Sequence, residues 1–183
     1  AITAANRQTQ IDPKSNLPTG RLIEDHLRSL MHDERKWSYI DLKINHFDSF
    51  TDVYGFVAGD EVIRFMALLI GEVLDTFGSA EDFVGHAGSD NFVIVSYAAR
   101  PDALAARLAE RFSEDIQQHY SFIDRERGFM MKDSEKVPLM TLAVGMVSNA
   151  NRQFADIREI TELAAESRRR GTINDVAPVP TEW

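Results

Sequence analysis

Three short stretches hold the side chains that could do chemistry. Asp41 and Lys43 stand two residues apart in a β-rich run, which puts them on one face of a strand. Gly88-Ser89-Asp90-Asn91-Phe92 spans a tight turn between two further β-rich runs, with His86 just before it. Asp and Asn are ordinary formers of such turns and need no further function there. His46, Phe47 and Asp48 open a helix whose unpaired N–H groups could face a phosphate. Asp60 and Glu61 fall in the first turn of a helix over about 59–77, where the macrodipole favours acids. Arg168 belongs to an arginine run at a helix C-terminus, which the same dipole explains. The five histidines show no metal-ligand spacing, and no Ser/His/Asp arrangement suggests a triad.

Composition narrows the classes. The 183 residues suit one domain with a buried core. Apolar residues make up 44% and charged residues 27%, so the chain is neither disordered nor collagen-like. Twenty basic residues stand against 29 acidic ones, a net charge of −9. That argues against a general polyanion binder, although a local basic cleft could hide inside it, and no nucleic-acid partner is expected. There is no cysteine, so disulfides and Cys-ligated zinc are excluded, and a reducing compartment fits. No apolar stretch approaches membrane-spanning length, so direct membrane insertion is not expected. No signal-peptide pattern opens the chain, and Ala1 is not Met, so the expectation is a cytoplasmic piece of a longer protein.

Periodicity places the elements. Residues 1–16 read as a linker from an upstream domain, and 172–183 as a loose tail. Ile23, Leu27, Leu30 and Met31 predict a helix over about 18–33, and Trp37 to Ile44 a strand. A short helix covers Phe47–Tyr54. Val62, Met66, Leu69, Val73 and Phe77 form the stripe of the next one. Strands over about 82–87 and 91–97 make a hairpin. Pro101 opens a helix, Phe129-Met130-Met131 could be a short strand, Pro138–Val147 reads as one buried strand, and 155–170 as the last helix. The expected fold is α/β of the α+β kind, with a mostly antiparallel five-stranded sheet surrounded by helices.

Three segments in order resemble the GGDEF domains of diguanylate cyclases. Asp12-Pro13 followed by Asn16-Leu17-Pro18-Thr19-Gly20-Arg21 is similar to the family's DxLTGLPNR entry. Phe47-x-x-Phe50-Thr51-Asp52-Val53-Tyr54-Gly55, then Gly59-Asp60-Glu61-Val62, resembles FKxINDxYGHxxGDxVL. Gly88-Ser89-Asp90-Asn91-Phe92 stands where the GGDEF signature would stand. The resemblance runs over about residues 12–171 and assigns the domain to 17–171. It implies a fold in which two domains face each other, each with one GTP. Two divalent cations on carboxylates help join the GTPs into cyclic di-GMP.

The departures set the functional expectation. Counting back without gaps from Gly55 and Gly59-Asp60, the family's first metal-binding Asp is Lys43, and the neighbouring acidic position is Asn45. At about 4 Å and an effective dielectric near 20, each unit of charge is worth roughly 4 kcal/mol against a cation. The swap therefore costs several decades of metal affinity. Lys43 is a plain strand-end lysine, or its ammonium occupies the vacated metal position and pairs with Asp90. A register shift of two would bring Asp41 to that position instead.

Asp48 replaces the Lys of the FK pair, and Thr51 replaces the guanine-reading Asn, while its partner survives as Asp60. In the signature, Ser89 replaces the second Gly and Asn91 the last acid; Asp90 keeps the ligand position. Arg168 lies near the place of a late phosphate-binding Lys. In the inhibitory RxxD pattern Asp82 remains but the Arg is Ser79, so that site is expected to be lost.

The resulting expectation is a degenerate GGDEF domain, catalytically inactive, with no cofactor. It would be a regulatory or interaction module beside an upstream sensor or receiver domain, with a homodimer or another signalling domain as partner. The alternatives are a GTP sensor without turnover, or a surviving diguanylate cyclase using GTP and Mg2+.

Overall fold

The computed structural model of the chain describes residues 10–171. The start of the expected linker and the whole of the expected tail lie outside them. Among these residues the elements follow in the order α1 (Gly20–Leu30), β1 (Ser38–Asn45), α2 (Phe47–Tyr54), α3 (Phe56–Phe77), β2 (Phe83–Gly88), β3 (Asn91–Ser96), α4 (Pro101–Asp115), α5 (Phe122–Arg127), β4 (Phe129–Lys132), β5 (Glu135–Pro138), β6 (Thr141–Ser148) and α6 (Ile157–Arg170). A 3-10 turn, Ile116–His119, extends α4.

β2, β3, β1 and β6 form one sheet in that order, and every pairing in it is antiparallel. β1 is central, hydrogen-bonded on both edges. Its alternate faces feed two apolar layers. Ile40, Leu42 and Ile44 pack with Val62, Met66, Leu69 and Ile70 of α3 and Leu104, Leu108 and Phe112 of α4. Tyr39, Val93 and Val95 pack on the other face with Ile23, Leu27 and Leu30 of α1 and Ile160 and Ala164 of α6. The sheet is thus buried between two helical layers, which is why its strands read as apolar on both faces. No helix among the described residues is long and apolar enough to cross a membrane.

The expected fifth strand belongs elsewhere. Phe129–Lys132 pairs with Glu135–Pro138 as a separate two-stranded hairpin, so the main sheet has four strands. Its turn residues Asp133 and Ser134 both have positive φ, 49° and 66°. That is the backbone of a two-residue hairpin turn, built here without the glycine that normally signals it. The expected strand Pro138–Val147 is observed as β6, Thr141–Ser148, with Pro138 at the end of β5. Between them the Met140 N–H donates to the Tyr120 hydroxyl (2.7 Å).

Other differences are local. α3 starts at Phe56, so Asp60 and Glu61 lie beyond its first turn, which contains no acid. The dipole therefore does not explain Asp60. α5 was not expected. Ser121 caps it by accepting from the Asp124 N–H, and Gly128 ends it in the left-handed region at φ 78°. Residues 10–16 hold a defined path against the sheet: Ile11 bridges Pro18, and the Lys14 and Ser15 N–H groups donate to Asp12 Oδ1.

Gly145 of β6 decides how closely α6 approaches. A Cβ there would lie 2.1 Å from the Ala164 carbonyl oxygen and 2.4 Å from the Arg168 nitrogen. Both are backbone atoms, so no rotamer change relieves the clash. Gly145→Ala is expected to cost about 3 kcal/mol in urea unfolding. Gly20→Ala, with nothing within 4 Å, is expected to add about 0.5 kcal/mol. Equal effects would contradict the packing described.

Candidate functional site

The β1 register puts Lys43 opposite Asn91 and Asp41 opposite Val93 on one side, with Gly145 opposite Asp41 on the other. Asp41, Lys43 and Asn91 therefore share one sheet face, with Asn91 diagonal to Asp41. The Asn91 side-chain amide donates to Asp41 Oδ1 (2.7 Å) and to the Leu42 carbonyl (2.7 Å). Arg168 comes in from α6 over Gly145, its Nε 3.1 Å from Asp41 Oδ1. Both partners are largely buried, with side chains 16% and 8% exposed.

Burial pushes the Asp41 carboxyl above its usual range, while Arg168 and the Asn91 hydrogen bond oppose that rise. Two bonds explain why position 91 suits an amide. A carboxylate there could donate nothing to Asp41 and would repel it.

Lys43 extends from the same face toward the turn. Its Nζ lies 3.7 Å from Asp90 Oδ2, with the lysine side chain 41% exposed and the aspartate 15%. A pair this open contributes on the order of 0–1 kcal/mol. Its consequence is charge: an ammonium stands beside the turn carboxylate. The Asp90 carbonyl also accepts from the Ile44 N–H (3.0 Å), fixing the turn to the strand end. Gly88 and Ser89 both have negative φ, so Ser89 replaces a glycine without backbone strain.

Behind the turn, His86 is buried and stacks on Phe92, ring centroids 4.3 Å apart. Its Nδ1 lies 2.9 Å from Ser15 Oγ and its Nε2 3.3 Å from the Ser89 carbonyl. With the proton on Nε2 the ring donates to Ser89 and accepts from Ser15, so it links the incoming segment to the turn.

The remaining expected residues fall into two groups. His46 has φ 66°, a left-handed residue that turns β1 sharply into α2. Phe47 is buried, and Asp48 is exposed in the first turn of α2. Thr51 donates its hydroxyl to the Phe47 carbonyl (3.0 Å) and lies against Gly59, where a Cβ would come within 2.9 Å of Thr51 Oγ1. Asp60 is paired with Lys14 at 3.0 Å. The expected site thus comes together as two neighbourhoods: Asp41, Lys43, Asp90, Asn91 and Arg168 at the strand end, and His46 to Thr51 with Asp60 around α2.

Ser79 and Asp82 lie away from these, at the start of β2. Asp82 accepts from the Ser79 hydroxyl and N–H, the Ser96 hydroxyl (2.7 Å) and the Tyr97 N–H (3.0 Å). Its carboxylate is spent on holding this loop to β3.

Sequence reasoning missed Lys14, Ser15 and the partnership of Arg168 with Asp41. Asp12 with two following N–H groups is a readable turn signal. Nothing local joins Lys14 to Asp60.

The donor set fits a divalent cation poorly. Asp41 is engaged by Arg168 and Asn91, Asp90 by Lys43, and Asp60 by Lys14. Among the described residues no three His, Asp or Glu side chains converge on one point suited to a metal.

Arg168→Leu leaves a buried carboxylate without its cation. It is expected to destabilise by about 2–4 kcal/mol at pH 7. The raised Asp41 carboxyl binds its proton at higher pH in the folded than in the unfolded chain. The penalty therefore shrinks as pH falls through the raised value, because a neutral carboxyl needs no cation. Urea unfolding at pH 7 and pH 4.5 measures this, and a pH-independent penalty would contradict it.

Comparison with known proteins gives a consistent result. The family model described as "Diguanylate cyclase, GGDEF domain" matches residues 9–167. The chain is 30% identical over 122 residues to the bifunctional diguanylate cyclase/cyclic di-GMP phosphodiesterase MucR of Pseudomonas aeruginosa, covering 63% of this chain and 17% of that protein. It is 26% identical over 125 residues to the signaling protein YkoW of Bacillus subtilis, covering 62% and 15%. The chain thus spans less than a fifth of these relatives. The solved GGDEF domain of DgcB from Caulobacter crescentus, in complex with c-di-GMP, superposes with a TM-score of 0.65 at 20% identity, covering 90% of each chain. With the family model matched across most of its length, the chain belongs to the GGDEF domain family of diguanylate cyclases.

Proposed function

We propose that this domain is a degenerate GGDEF domain that carries out no cyclase turnover and serves as a regulatory or interaction module in a cyclic di-GMP signalling protein. The single observation behind this is Lys43. Its ammonium stands 3.7 Å from Asp90, at the strand end where the resemblance calls for a metal-binding carboxylate. GGDEF domains that are active use GTP and Mg2+, and a site already neutralised by its own cation has little left to attract a second one. Asp41, the alternative ligand, is committed to Arg168 and Asn91. The upstream partner would be a sensor or receiver domain of the same cytoplasmic protein. A homodimer or another signalling domain would receive the output.

A GTP sensor without turnover is the second reading. The turn from His46 into α2 favours it, since that helix start still presents free N–H groups. Exposed Asp48 in the first turn works against a triphosphate there. The third reading, an active cyclase, draws on the activity named for MucR and on the surviving Asp90.

Incubation with GTP and Mg2+ or Mn2+, followed by chromatography, is expected to yield no cyclic di-GMP; clear turnover would defeat the proposal. Thermal shift with GTP, with and without Mg2+, separates the first two readings, because saturable stabilisation favours the sensor. Lys43→Asp with Ser89→Gly removes the ammonium and places a carboxylate beside Asp90. It is expected to create Mn2+-dependent stabilisation absent from the parent, and an unchanged melting curve would show that Lys43 does not hold the metal position.

A further inference from the structure

The 22-residue helix α3 is packed along one side only, where Val62, Met66, Leu69 and Val73 are buried. Opposite that stripe, Val57, Glu61, Arg64, Leu68 and Gly71 recur at spacings of four, three, four and three, so they line one exposed face. Leu68 is 64% exposed and Val57 58%. Single exposed apolar residues need no explanation, but two on one seam at heptad spacing do. Glu61 and Arg64 form no ion pair among the described residues. The neighbouring acids Asp60 and Glu72 are already held by Lys14 and Arg111. A Cβ on Gly71 would have nothing within 4 Å of it. Glycine inside a helix is unfavourable, and the chain's own packing gives no reason for it.

This seam is complementary to itself when run backwards. In an antiparallel helix pair, a two-fold axis sets each residue opposite the one equally far on the other side of the axis. With the axis level with the Val62–Ile63 peptide, Val57 meets the second copy's Leu68 and Glu61 meets the second copy's Arg64, each twice. A parallel pair would instead set Glu61 on Glu61 and Arg64 on Arg64. Gly71 then lies over the turn that joins α2 to α3 in the second copy, where a missing side chain leaves room. Asp75 continues the seam beyond the stretch that a second α3 covers. Phe65 of α3 lies against His119, ring centroids 4.8 Å apart, and the Ser121 N–H donates to the Tyr54 hydroxyl (3.0 Å). The corner carrying the exposed Phe122 and Ile123 therefore borders the same helix and widens the apolar margin.

We propose that α3 pairs with α3 of a second copy of this chain, antiparallel about that axis. Two layers of Val57 against Leu68 flank two central layers of Glu61 against Arg64. The proposal rests on the interaction-module reading and names the face that would carry it. The seam contains none of the strand-end residues, so an association measurement and the cyclase assay fail independently.

Sedimentation equilibrium of the full chain, from about 10 μM to about 1 mM, is expected to show a reversible dimer with a dissociation constant on the order of 100 μM, as so small a seam allows. Leu68→Glu is expected to abolish the dimer in this range. Glu61→Arg sets arginine against arginine in both charged layers, and Arg64→Glu sets glutamate against glutamate. Each alone is expected to weaken association roughly tenfold. An equal mixture of these two variants brings arginine against glutamate in both layers, and is expected to associate as tightly as the parent. These positions are all exposed, so the monomer fold tolerates the changes. A parent chain that stays monomeric throughout this range would overturn the proposal and leave the seam to a different partner. A mixture no tighter than either variant alone would also overturn it, by placing any dimer contact elsewhere.

Discussion

A carboxylate in the central strand of a buried sheet is the constraint on which this domain is built. Asp41 sits between β3 and β6 with a helix above it, where an isolated ion would be prohibitively unstable. Its charge is met by Arg168, and Asn91 supplies a hydrogen bond from the neighbouring strand. Arg168 can arrive only because Gly145 lets the backbone of α6 sit almost on the sheet. A glycine in one strand, an arginine late in the last helix and an amide on the signature turn are thus three parts of one solution.

The same logic extends outward to solvent. Asp90 faces Lys43, and Asp60 faces Lys14, so each acid that could bind a cation or read a base meets a cation of the protein's own. The net charge of −9 is therefore misleading near the strand end, which is locally compensated. The exposed pairs add little to stability. The turn is held from behind as well, through His86 to the segment 12–18.

Much of this was legible from residue order. Helices with long apolar stripes, such as Val62 to Val73, announced themselves because their burial follows the helical period. The hairpin of β4 and β5 did not, because Asp133 and Ser134 adopt left-handed backbone without a glycine to mark it. The pairing of Lys43 with Asp90 could be anticipated, since strand and turn meet in any such hairpin sheet. Arg168 with Asp41 could not: the arginine looked like a dipole partner, and only the approach over Gly145 brings it to the strand. Asp60 likewise appeared explained by its helix until that helix proved to begin earlier, leaving Lys14 as its partner.

At the strand end Lys43 stands beside Asp90 and Arg168 beside Asp41, so both carboxylates meet a cation of the protein's own. Electron paramagnetic resonance of free Mn2+, titrated with the intact chain, tests it without reference to catalysis. The free-ion signal is expected to persist at stoichiometric protein and to fall only when Lys43 is replaced by Asp. Loss of the signal on the unaltered protein, at micromolar concentrations and without nucleotide, would contradict it.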